Sequence, residues 1–60
     1  MDQVIKRYSA KHGEVTITEY KISNHTEYHV KYSAYSHLFS AWFNNKRDAI
    51  VHAQFLAGNY

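Results

Sequence analysis

Five histidines, His12, His25, His29, His37 and His52, stand in a chain with no cysteine, and their number raises acid–base and metal chemistry first. Their placement argues against both. His12 and His37 fall at turns on one end of the chain's alternating pattern, His25 at a turn on the other, His29 in mid-strand and His52 in a helical segment. Along an extended chain His25 and His29 lie about 13 Å apart, too far to share a tetrahedral ion. No carboxylate is expected where it would orient a histidine as a ligand. Ser9, Ser23, Ser33, Ser36 and Ser40 are scattered, none in the glycine-flanked elbow that presents a nucleophile. Gly13 and Gly58 are the only glycines, so no phosphate-cradling loop is available for a nucleotide. A nuclease built on His12, His37 and Lys11 is the enzymatic alternative, but so small a domain offers little concave volume for a substrate. The expectation is a protein without catalysis, metal or cofactor.

The aromatic residues are the other chemical resource. In Tyr28 to Phe43, YHVKYSAYSHLFSAWF, aromatics occur on both parities of an alternating pattern. Burial of one sheet face accounts for one parity only, so the second set needs its own explanation.

The elements that position these residues follow from turn signals and periodicity. His12-Gly13, Asn24-His25 and Ser36-His37 recur about twelve residues apart, the spacing of consecutive antiparallel strands. A hairpin loop at His12-Gly13 pairs Lys11 with Glu14, Lys6 with Glu19 and Tyr8 with Ile17, matching opposite charges twice. A loop at Asn24-His25 sets Ile17 opposite Tyr32 and Glu19 opposite Val30. One at Ser36-His37 sets Val30 opposite Phe43, Tyr32 opposite Ala41, Ala34 opposite Phe39 and Lys31 opposite Trp42. One face then collects Tyr8, Ala10, Val15, Ile17, Tyr28, Val30, Tyr32, Ala34, Phe39, Ala41 and Phe43. For residues 3–10 a helix is the rival, because Val4, Ile5 and Tyr8 also fit helical spacing.

After Phe43 the segment NNKRDAIVHAQFLAGNY carries helix signals: Asn45 as cap, Asp48 near the positive amino end, and Gly58 as a left-handed terminator. At about 100° per residue, Ala49, Ile50, Ala53, Leu56 and Ala57 form one stripe that covers the aromatic sheet face. Val51 and Phe55 fall on another side and form a candidate secondary interface. The predicted fold is α+β, a single domain over 1–60: an antiparallel meander of three or four strands packed against one C-terminal helix.

Composition agrees with a folded chain, since 45% of residues are hydrophobic, two are glycine and none is proline. No apolar run reaches the roughly 18 residues of a membrane span, and Met1-Asp2-Gln3 does not begin a signal peptide. A cytoplasmic setting is expected, with the host cell of a virus as one version of it. A net charge of +2 permits polyanion binding without demanding it.

The outer face of the sheet then displays Arg7, Thr16, Thr18, Tyr20, His29, Lys31, Ser33, Tyr35, Leu38, Ser40 and Trp42. Each alone is an ordinary solvated residue; Tyr20, His29, Tyr35, Leu38 and Trp42 together are a patch that marks a contact surface. With Arg7 and Lys31 they are the expected partner-binding residues. A protein partner fits a lightly charged face of Tyr and Trp, diluted by Glu14 and Glu27. Nucleic acid is the alternative, with rings for stacking and Lys6, Lys11, Lys46 and Arg47 close by for phosphates. The unpaired edge strands add a route to strand addition or self-pairing, so monomer and homodimer are both expected states.

FSAWFNNKRDAIVHAQFLAG, an aromatic strand end, a polar cap and alanines at helical spacing, resembles the last strand and helix of three nucleic-acid-binding families. They are the plant ethylene-response-type DNA-binding domain, phage integrase amino-terminal domains and the double-stranded-RNA-binding domain. The chain lacks the arginine- and tryptophan-rich strands of the first and the glycine-containing basic loop of the last, so no functional residue is carried over. In length and in Tyr, Asn and Lys content it also resembles the accessory proteins phages make against host enzymes. That resemblance implies a small inhibitor or regulator.

Overall fold

The computed structural model describes residues 2–34 and 37–59, with the backbone alone for Ala34, His37 and Leu38. Strands β1 (Asp2–Ser9), β2 (Gly13–Ile22), β3 (His25–Ala34) and β4 (His37–Phe43) form one antiparallel meander in the order β1-β2-β3-β4, and helix α1 (Lys46–Asn59) follows. The α+β fold is as the sequence implies. Residues 3–10 belong to strand and short turn, not to a helix, because alternate side chains Tyr8 and Ala10 reach a sheet core that a helix would not meet.

All three hairpins close one residue earlier than the turn signals indicate. Ser9 pairs with Glu14 and Tyr8 with Val15; Ile22 pairs with His25 and Ile17 with Val30; Ala34 pairs with His37 and Tyr32 with Phe39. Each register is therefore shifted by two from expectation, and because side chains alternate with period two, every residue of β2, β3 and β4 keeps its face. Between β2 and β3 a reason is visible at Glu19. In the expected register its carboxylate stands opposite Val30, at the centre of the core; in the observed one it stands opposite Tyr28, whose hydroxyl it can accept from. The shift also makes Val15↔Tyr32 and Ile17↔Val30 adjacent pairs, which brings the four largest fully buried side chains into one block. The matched pairs Lys11–Glu14 and Lys6–Glu19 are given up. Lys11 is in the loop and Lys6 faces Ile17 in register, while Arg7 reaches Glu14 instead.

The first loop closes with the Ala10 N–H donating to the Gly13 carbonyl at 2.9 Å. Gly13 starts β2 without a positive φ, so it serves strand entry, not the turn itself. In the second loop Ser23 takes φ 47°, the left-handed conformation that sends the chain back within two residues.

A β-bulge at Ile5 breaks the β1 register: Val4 pairs with Thr18 and Lys6 with Ile17. The extra residue turns Ile5 onto the core and leaves Val4 on the outer face. Two consecutive apolar residues thus occupy opposite surfaces.

Val15, Ile17, Val30 and Tyr32 of the sheet meet Ala49, Ala53 and Leu56 of α1, with Ile5, Tyr8, Tyr28, Phe43, Ile50 and Ala57 packed around them. Alanines at 49 and 53 let the helix axis approach the sheet closely. α1 packs chiefly on β3 and β2. Phe39, expected beneath the helix, lies on the correct face but stacks on Tyr32 at the sheet's margin, 6.0 Å between centroids, and stays partly exposed. Among the described residues no helix is long and apolar enough to cross a membrane.

Asn45 caps α1 as expected: its Oδ1 accepts from the N–H groups of Arg47 at 2.8 Å and Asp48 at 3.4 Å. The carboxyl end differs from expectation. Gly58 is helical, has no positive φ, and the helix continues to Asn59, whose Nδ2 donates to the Phe55 carbonyl at 2.8 Å. The side-chain amide thus gives a carbonyl of the last turn a side-chain donor, in a helix end that uses no left-handed residue. A Cβ at Gly58 would meet open space. Gly58→Ala is therefore expected to raise the unfolding free energy measured by urea denaturation by about 0.5 kcal/mol, and Asn45→Ala to lower it by about 1 kcal/mol. A glycine needed as a left-handed cap would give a loss at position 58.

Tyr28 offers a pH probe of the β2–β3 register. Partial burial, then the charge of Glu19 and a hydrogen bond to it, push the phenol above its ordinary value of 10.0. The folded state thus holds this proton more tightly than the unfolded chain. Its contribution is complete below pH 10 and is lost as pH rises through the raised value. Denaturant midpoints of wild type are expected to fall faster than those of Tyr28→Phe across that alkaline window; identical slopes would contradict the pairing.

Candidate binding surface

The face of the sheet away from α1 carries the even residues of β2 and β4 and the odd residues of β3. On it His29 pairs with Trp42 across β3 and β4, and Thr18 pairs with His29 across β2 and β3. Tyr20, two residues beyond Thr18, reaches diagonally over β3. The result is a three-ring cluster from three strands: His29–Trp42 centroids 4.5 Å apart, Tyr20–Trp42 5.1 Å and Tyr20–His29 6.4 Å. All three contacts are tilted or edge-on, the arrangements favoured by ring quadrupoles. Trp42 nevertheless remains 55% exposed.

The cluster corrects one sequence expectation. Lys31 stands opposite Ser40, not Trp42, and the ring that shields one side of Trp42 is His29. The two-residue register shift is the reason.

Of the expected contact residues, Tyr20, His29 and Trp42 converge, with Lys31 next along β3. Arg7 does not join them. It pairs with Thr16, about 13 Å along β2 from Tyr20, and its Nη1 donates to Glu14 Oε1 at 3.2 Å. Both groups of that ion pair are well exposed, so it contributes little to stability. Leu38 of β4 pairs with Ser33, its side chain outside the described residues; Tyr35 lies outside them altogether. Val51 and Phe55 are exposed on the solvent side of α1, across the molecule from the ring cluster.

Two exposed residues extend the patch beyond the sequence reading. The bulge places Val4 outward beside Thr18, 41% exposed, and Ile22 lies two residues past Tyr20, 45% exposed. Adjacent apolar residues in an alternating strand, Val4-Ile5, were the available signal for the first; the period-two parity shared with Tyr20 was the signal for the second.

Charge on this face is mixed. Glu27 lies opposite Tyr20, and its Oε2 is 2.9 Å from His25 Nε2. A carboxylate does therefore hold one histidine, contrary to expectation, because i and i+2 share a strand face. Among the described residues no three histidine or acidic side chains gather as a metal-ligand set. What the surface presents is ring area, one neighbouring ammonium and three carboxylates, those of Glu14, Glu27 and, opposite Tyr20 on β1, Asp2. No family model matches the chain, and neither the curated proteins nor the solved structures yield a similar one.

Proposed function

We propose that this chain is a non-enzymatic binding protein that seats its outer sheet face on another protein, acting as a small inhibitor or regulator. The observation that carries the reading is the Tyr20–His29–Trp42 cluster, held by three strands, with Trp42 more than half exposed. Three rings fixed by mutual contact lose little entropy on association and bury much area, the combination found in interface anchors. Val4 and Ile22 widen the apolar centre, and the charges of Arg7, Glu14, Glu27 and Lys31 form a polar surround.

Nucleic acid is the second reading, favoured by Lys31 beside His29, since a ring cluster next to an ammonium suits stacking with phosphate contact. Against it, Glu14 and Glu27 share the face and Arg7 is already engaged by Glu14. The test is capture from native-cell extract on the immobilised chain, before and after nuclease treatment, beside a salt series with generic oligonucleotides. A specific protein retained after nuclease treatment is expected, with weak or absent oligonucleotide binding. Retention that disappears with nuclease, and oligonucleotide affinity that falls steeply with salt, would replace this reading with the second.

A further inference from the structure

The two edges of the sheet are unlike. β1 is interrupted by the bulge at Ile5 and carries Asp2, Lys6 and Arg7, devices that discourage strand addition. β4 has neither. Its sequence HLFSAWF contains no acidic residue, lysine, arginine, proline or glycine, and its register with β3 is unbroken from His37 to Phe43. On the helix side Phe39 is left partly exposed beside this edge, and on the outer side Trp42 is exposed.

We propose that β4 is a dimerisation edge: a second copy of this chain adds its own β4 antiparallel to the first, extending the sheet through a two-fold axis. A strand that pairs with itself must be complementary to its own reversed sequence. Centred on Ser40, the pairing sets Phe39 of each copy opposite Ala41 of the other on the helix side, large against small. Like charges facing one another ordinarily oppose such pairing, and β4 brings none to the axis. His37, its one titratable residue, falls opposite Phe43 and not opposite its own counterpart. A net charge of +2 per chain adds little long-range repulsion. The backbone groups of β4 that point away from β3 gain partners in the dimer, and the two ring clusters come onto one continuous outer surface. The dimer stands independently of the target proposed for that surface.

Sedimentation velocity over a wide concentration range tests this, using wild type, Ser40→Lys and Ser40→Glu. Wild type is expected to pass from the mass of one chain to that of two as concentration rises. Either variant alone is expected to remain at one, because like charges then meet at the axis, and an equal mixture of the two is expected to recover the mass of two. Circular dichroism checks the fold; Ser40→Glu faces Lys31 in the β3 register and so gains an opposite charge within its own sheet. A wild type that stays at one chain throughout overturns the proposal. So does a dimer that both variants leave intact, a mixture that does not reassociate, or a dimer lost only on Val51→Asp.

Discussion

Ile17→Ala is expected to leave a large share of the chain unfolded at room temperature. Ile17 is fully buried, pairs with Val30 on β3 and lies in the core against α1. Truncating such a side chain costs about 2–5 kcal/mol, from lost transfer energy and from the cavity left behind. A chain of this length has a total stability on the order of 3–9 kcal/mol, and it has no cysteine to supplement its core. Phe55→Ala, which removes a larger but exposed side chain, is expected to change stability by only about 0.5 kcal/mol. Urea denaturation followed by far-ultraviolet circular dichroism reads both. Similar losses from the two variants would mean that α1 buries a different face than Ala49, Ala53 and Leu56.

The second large effect is functional. Tyr20→Ala combined with Trp42→Ala is expected to abolish capture of the protein partner while the chain remains folded. Interface anchors of this type cost about 2–4 kcal/mol each when truncated. Their contribution to the fold is smaller, about 0.5–1.5 kcal/mol for each pair of rings separated, since both lie on the face away from the core. The rings touch at 5.1 Å, so the two single variants are expected to be non-additive, the first truncation removing part of what the second would. Unfolding by the pair would show that the outer face is structural. Undiminished capture by a folded double variant would exclude this surface as the contact.

Face assignment was legible in the sequence because it depends only on parity. Val15, Ile17, Val30 and Tyr32 alternate with threonines, charges and outward aromatics, and a register error of two leaves that parity intact. Residue-by-residue pairing was not legible. Local turn chemistry at Asn24-His25 pointed one residue too late, because the competing requirement, keeping the Glu19 carboxylate away from Val30, arises only when β2 meets β3. The matching two-residue shift between β3 and β4 decided the site. Tyr20, His29 and Trp42 were each identifiable as outward residues, but their convergence into one cluster, with Lys31 moved aside to Ser40, required the true register. Val4 was hidden by the bulge, which reverses the face of every residue before Ile5 relative to a regular strand. The helix cap at Asn45 was legible, being a local hydrogen-bonding property. The continuation through Gly58 was not, because glycine permits a left-handed end without requiring one.

Trp42 is the only tryptophan in the chain, so it can report directly on the surface to which the function is assigned. Fluorotryptophan incorporated at that position gives a single fluorine NMR resonance, observed free and after addition of the captured partner. The expected result is a shifted, broadened resonance that loses its sensitivity to solvent deuteration, as the ring passes from water into an interface. A resonance unchanged in position and solvent sensitivity, in a sample where the complex has formed, would contradict the assignment of the Tyr20–His29–Trp42 face as the binding surface.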